Sequence, residues 1–157
     1  MAIYYISPSG VDGNAGTISS PRFTIQAGLA LCSAGDTLYC RGGTYQFLTQ
    51  QNIISKNGSS GNLINIWAYP GETPIFTRSA SYIPAIGVAT DLLYFETCSY
   101  LYFKNLDISN YSQHPTLDYW FAFRGNDLSN CKFENINYHH NGSAFTLRGD
   151  STTGNLF

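Results

Sequence analysis

The chain is 157 residues long with a formal net charge of −2, and only 11% of its residues are charged, against about 25% in an average domain. One domain is the natural count for this length. The absence of a basic run argues against a phosphate-tracking nucleic-acid surface, and no apolar stretch reaches the eighteen or so residues that a membrane span needs. Aromatics make up 15%, with 12 Tyr and 10 Phe, and the polar residues run to Asn, Ser, Thr and Gly. That balance points to an extracellular, β-rich protein. Met1-Ala2-Ile3 runs straight into the first motif with no apolar leader, so a signal peptide is expected to be absent here or replaced by Met-Ala.

Residues 3–6 alternate and are β-branched or aromatic, which predicts a strand. Residues 7–20, rich in Ser, Pro, Gly, Asp and Asn, predict a long polar loop. Ser20-Pro21 then opens a segment carrying Phe23, Ile25, Leu29 and Leu31, and Ala34-Gly35-Asp36 closes it; the pattern predicts one helix over 22–33. Strands are predicted at 37–40, 63–68, 92–95 and 100–103, separated by Gly, Asn and Pro clusters. The four cysteines, Cys32, Cys40, Cys98 and Cys131, lack the spacing of a metal site. Buried free thiols are the expectation, with a Cys32–Cys40 bridge as the alternative.

Three segments align without gaps. Ser99-Tyr100-Leu101-Tyr102-Phe103, Ser129-Asn130-Cys131-Lys132-Phe133 and Thr153-Gly154-Asn155-Leu156-Phe157 place their last Phe 30 and then 24 residues apart. The first two continue alike, as Phe103-Lys104-Asn105-Leu106-Asp107-Ile108 and Phe133-Glu134-Asn135-Ile136-Asn137-Tyr138. Strands and polar turns repeating at this period suit a parallel β-helix, an all-β solenoid whose coils bury their apolar faces on one another. Stacking would set Asn105 against Asn135 as an internal amide ladder. Residues near 111–120 would bulge as a loop. The helix at 22–33 would cap the raw N-terminal end, so residues 1–45 form strand, loop and cap, and 46–157 the coils of a single domain.

The opening residues also carry a resemblance. Tyr4-Tyr5-Ile6-Ser7-Pro8-Ser9-Gly10, Gly35-Asp36-Thr37-Leu38-Tyr39 and Arg41-Gly42-Gly43-Thr44-Tyr45, with Phe133 to Gly142 and Leu147-Arg148-Gly149-Asp150 further on, resemble the pectate lyases of polysaccharide lyase family nine. The resemblance implies a right-handed parallel β-helix and a secreted protein acting on acidic polysaccharide (pectin or polygalacturonate). It also implies calcium-dependent β-elimination, in which calcium held by aspartates neutralises the uronate carboxylate and a lysine removes the α-proton. The aspartate cluster and lysine of that family are expected on coils after the Phe157 position. No catalytic residue, metal ligand or cofactor is therefore assigned within this chain, which is expected to be the N-terminal part of such a protein. A non-catalytic carbohydrate-binding or surface module is the alternative.

Among the residues present, His139, His140, Arg148 and Trp120 are the candidates for contact with an acidic sugar. The adjacent histidines are expected to point to opposite faces of a strand. Tyr94, Tyr100, Tyr102, Tyr111 and Tyr119 are further candidates for stacking on sugar rings. Lys104 and Lys132 are expected on solvated outer faces, and Asp150 in a local ion pair with Arg148. Phe145, Leu147, Leu156 and Phe157 are expected to leave an apolar end open to end-to-end self-association.

Overall fold

The computed structural model describes residues 1–79, 91–109, 121–141 and 145–157. The chain opens with strand β1 (Ile3–Ile6) and a single short helix, α1 (Ile25–Leu31), before the coils begin. Each coil then contributes three strands in turn. The first is β2 (Thr37–Cys40), β3 (Gly43–Phe47) and β4 (Gln51–Ile54); the second is β5 (Ile64–Ala68), β6 (Pro74–Arg78) and β7 (Leu93–Glu96). The third is β8 (Leu101–Lys104), β9 (Asp107–Ser109) and β10 (Phe123–Asn126); the fourth is β11 (Lys132–Glu134), β12 (Asn137–His139) and β13 (Thr146–Arg148). The strands stack into a first sheet β1-β2-β5-β8-β11, a second sheet β3-β6-β9-β12 and a third sheet β4-β7-β10-β13. Every ladder between these strands is parallel. This is the parallel β-helix that the repeat predicts.

The repeat sets the register. Phe103 pairs with Phe133, Ser99 bridges Ser129 and Ser129 bridges Thr153, and Lys132 bridges Leu156. The rings of Phe103 and Phe133 stack at 4.9 Å, and those of Phe133 and Phe157 at 5.1 Å. An inward column thus runs Leu38, Ile66, Phe103, Phe133, and a second runs Tyr45, Phe76, Ile108, Tyr138. Parallel in-register stacking places like on like, so aromatic residues meet their own kind along the axis. All four cysteines are buried and free. Burial pushes the Cys32 thiol up to about 12 and the Cys131 thiol up to about 11, so each serves as a small apolar filler.

Bends between the sheets are made by residues in the left-handed region, also stacked coil on coil. Asn105 and Asn135 (φ 58° and 52°) turn the chain from the first sheet to the second. Ser55, Thr97 and Asp127 (φ 53°, 53° and 51°) end the strands of the third sheet. Asn and Asp tolerate this conformation because their short polar side chains bond locally.

The helix is shorter than the pattern predicts. Its N-cap is Thr24, whose hydroxyl accepts from the Ala27 N–H at 3.1 Å. Ser20-Pro21 does not start it, because the Asp12 carboxylate holds the Phe23 and Thr24 N–H groups and the Thr24 hydroxyl outside the helix. Cys32 ends it by donating its N–H to the Leu29 carbonyl. Ile25, Gly28 and Leu29 face inward. A Cβ at Gly28 would lie 2.6 Å from Ile6 and 2.8 Å from Leu38, so glycine is what lets the cap sit directly on the first sheet. Among the described residues no helix is long and apolar enough to cross a membrane.

Candidate functional site

With the inward rows filled by core, the outward rows carry the chemistry, and each sheet presents a different set. On the second sheet, Asp107 and Asn137 are register partners. Asp107 is buried, and its Oδ2 accepts from Asn137 Nδ2 at 2.6 Å and from His139 Nε2 at 3.0 Å. A carboxylate oxygen accepts, so His139 donates to it from Nε2. His139 Nδ1 faces His140 Nδ1 at 2.5 Å. The expectation that the two histidines point apart is therefore corrected. His140 lies one residue past the end of β12 with φ 52°, outside strand geometry, and its ring folds back onto His139. At the neighbouring turn, Asn135 Nδ2 donates to Asn105 Oδ1 at 2.9 Å. A groove of about 360 Å³ runs beside these residues, lined by Glu72, Thr73, Asn105, Asp107, Asn135 and Asn137 among others.

Arg148 is at the end of β13 on the third sheet, so the structure does not bring it together with the histidines of the second. It is exposed, and its guanidinium lies 4.9 Å from the centroid of the Phe121 ring. Its neighbour across the ladder is Asn126, which donates to the Tyr94 hydroxyl at 3.1 Å. Arg124 stands in the next outward row, with its guanidinium 4.8 Å over the Tyr94 ring. Behind it is Asp91, 1% exposed, whose Oδ2 meets Arg124 Nη2 at 2.8 Å as an ion pair rather than an aligned hydrogen bond. Asp91 Oδ1 accepts from the Phe121 N–H at 3.1 Å. Burial raises the Asp91 carboxyl above the ordinary carboxylate range, while Arg124 and the Phe121 N–H act in the opposite direction. Sequence reasoning singles out neither Arg124 nor Asp91. The signal was present: Asp91 and Phe121 are 30 residues apart, the same offset that aligns Phe103 with Phe133.

Trp120, Tyr111 and Tyr119 lie outside the described residues. Tyr94 and Tyr102 fall on the third and first sheets respectively. Lys104 and Lys132 do sit on an outward face, and both pair with Glu134, at 2.7 and 2.8 Å. These contacts, Lys104 foremost, hold the Glu134 carboxyl down to about 2. A separate cleft of about 630 Å³ under the N-terminal loop contains Arg41 and Glu72. That pair is closed on itself, bidentate at 2.8–3.1 Å with the Gly42 N–H added, and reads as structural.

Calcium needs six to eight oxygen ligands, usually including several convergent carboxylates. Among the described residues no three Asp, Glu, His or Cys side chains gather in a way that would hold a metal. Asp91 is held by Arg124, and Asp107 engages Asn137 and His139 through Oδ2 while its Oδ1 is buried away from any other carboxylate cluster. The described donors do not fit this ion.

Stacked parallel coils with an amide ladder at one turn and a helical cap define a parallel β-helix protein. Residues 4–157 match the family described as Pel9A-like, right handed beta helix region, and the chain belongs to it. It is 30% identical over 158 residues to pectate lyase PEL9 of Emericella nidulans, covering 94% of this chain and 36% of that protein. Among solved structures, pectate lyase Pel9A superposes with a TM-score of 0.65 at 25% identity, over 90% of this chain and 34% of that one. The lacto-N-biosidase of Eubacterium ramulus matches with a TM-score of 0.70 at 18% identity, over 96% of this chain and 31% of its own; that likeness is one of fold. The chain spans about a third of the length of these relatives.

Proposed function

We propose that this chain is the polysaccharide-holding part of a secreted pectate-lyase-like β-helix, and that it grips an acidic galacturonan on the outer face of its third sheet. The observation that carries the reading is Arg148, exposed and outward over Phe121, with Arg124 beside it over Tyr94 and held from behind by Asp91. A guanidinium over an aromatic ring keeps its edge free for a carboxylate, which it meets as a bidentate fork. In such an enzyme the calcium-dependent β-elimination belongs to donors other than the described residues, which do not fit the ion. Relatives named as pectate lyases support the substrate class.

The test is titration of the chain with polygalacturonate, together with a calcium-supplemented lyase assay read by ultraviolet absorbance of the unsaturated product. Binding that weakens several-fold in Arg148→Gln, with no product, supports a holding role. Calcium-dependent product would place a complete catalytic site in this chain. Absence of binding would refute the reading.

A further inference from the structure

The outer face of the first sheet is unlike the other two. Tyr5, Tyr39 and Trp67 are consecutive register partners on β1, β2 and β5. Their rings follow one another at 5.9 and 6.4 Å, and Tyr102 continues the line 5.3 Å from Trp67. All four are half-buried and face outward, opposite the core column of Leu38, Ile66 and Phe103. Each successive strand of the sheet contributes one ring, at centroid separations of 5.3–6.4 Å. A contiguous aromatic stripe on a solvent face is a mark of an interaction surface.

Charge identifies the occupant. The stripe ends at Lys104 and Lys132, and Lys132 Nζ lies 4.4 Å from the centroid of the Tyr102 ring. Both ammoniums converge on one carboxylate, Glu134, so one positive charge remains uncompensated at that end. A row of aromatic rings that ends in a surplus ammonium suits a chain of pyranose rings that bears carboxylates.

We infer that the outer face of the first sheet is a second docking surface for acidic polysaccharide, with Tyr5, Tyr39, Trp67 and Tyr102 as stacking rungs and Lys104 and Lys132 as carboxylate contacts. The inference rests on the polysaccharide reading above but uses a different sheet. The polymer would run along the solenoid axis, crossing the strands. Two surfaces on one rigid coil would raise the retention of the protein on a polymer network by avidity.

The test is affinity electrophoresis in gels containing polygalacturonate, with metal chelated, on the parent chain and matched variants whose thermal melts verify folding. Tyr39→Ala and Trp67→Ala are each expected to weaken retention roughly three- to tenfold, the scale of one aromatic contact. Trp67→Phe, which keeps a ring, is expected to lose less. The Lys104→Gln, Lys132→Gln double variant is expected to weaken binding and flatten its salt dependence. Arg148→Gln reports on the third sheet alone. If only Arg148→Gln weakens retention, the first-sheet surface is refuted and the proposed function stands. If only the first-sheet variants weaken it, the reverse holds. Equal retention on a neutral glucan would overturn the charge argument. A dimer in sedimentation that Trp67→Ala dissolves would overturn the inference, because the occupant would then be a second copy.

Discussion

Replacing Gly125 with alanine is expected to unsettle the third sheet from inside. Gly125 sits in β10 at the inward position between Phe95 and Leu147 on the neighbouring strands. The column lacks a side chain there because Leu128, from the turn that follows, fills the space and is 0% exposed. A Cβ on Gly125 would stand 1.9 Å from Leu128 Cδ1 and 2.8 Å from Leu147 Cδ2. Leu128 is fully enclosed and cannot retreat to solvent, whereas half-buried Leu147 can give way, so the clash falls on Leu128 and on the strand that carries Gly125. Overpacking of this kind costs about 1–3 kcal/mol, and the 1.9 Å contact argues for the upper half of that range. Leu128→Ala alone should cost about 2–5 kcal/mol through the cavity it leaves. The double variant Gly125→Ala, Leu128→Ala should cost less than the two singles together by at least about 1 kcal/mol, because the new methyl occupies the vacated space. Urea denaturation followed by far-ultraviolet circular dichroism measures all three. Gly125→Ala within about 0.5 kcal/mol of the parent, or strict additivity in the double variant, would refute this packing.

Three further outcomes are expected. Glu134 should titrate near 2, not at its ordinary 4.5. Its depressed value in the folded state means that its contribution to stability is complete above about 4.5 and fades as pH falls toward 2; a carboxyl-carbon NMR titration with a midpoint near 4.5 would contradict this. Thr97 is exposed and β-branched at φ 53°, so Thr97→Asn should gain about 1 kcal/mol by relieving left-handed strain, seen as a raised melting temperature; no gain would show that the turn tolerates threonine at no cost. Asn135→Ala should lose about 1–2 kcal/mol, having given up both its bond to Asn105 and its tolerance of φ 52°. Asn135→Gly, which recovers the backbone freedom, should lose about half as much in the same melts.

The coil architecture was legible in the sequence because stacking repeats it. Phe103, Phe133 and Phe157 mark one inward column, and Asn105 and Asn135 one turn, so equal sequence offsets become equal heights along the axis. The helix ends were less legible. What moves the start from residue 22 to 25 is Asp12, a carboxylate about a dozen residues upstream, and no local pattern reports it. The histidine pair failed for a backbone reason. The period-2 rule holds within a strand, and His140 is the first residue beyond one, turned by a positive φ. Arg124 and Asp91 were missed because the repeat was followed through the first and second sheets and not into the third. Carried on by the same offset, it also aligns Leu93-Tyr94-Phe95-Glu96 with Phe123-Arg124-Gly125-Asn126.

A solenoid separates stability from recognition by simple alternation, since inward residues meet the next coil and outward residues meet solvent. The outward rows can therefore differ from sheet to sheet while the core columns stay the same. Asp91 is where the separation fails. Its carboxylate is buried, yet its partner is the outward Arg124. Removing the arginine would leave an uncompensated buried charge, a loss of about 3–5 kcal/mol, and weaker binding by that variant would mix unfolding with lost contact. Arg148 is exposed and rests on Phe121, and it ranks behind Arg124 among the charges that steady Asp91. Of the two arginines it is therefore the one whose replacement reads recognition directly, and a change in polymer binding at an unchanged melting temperature is the signature to seek.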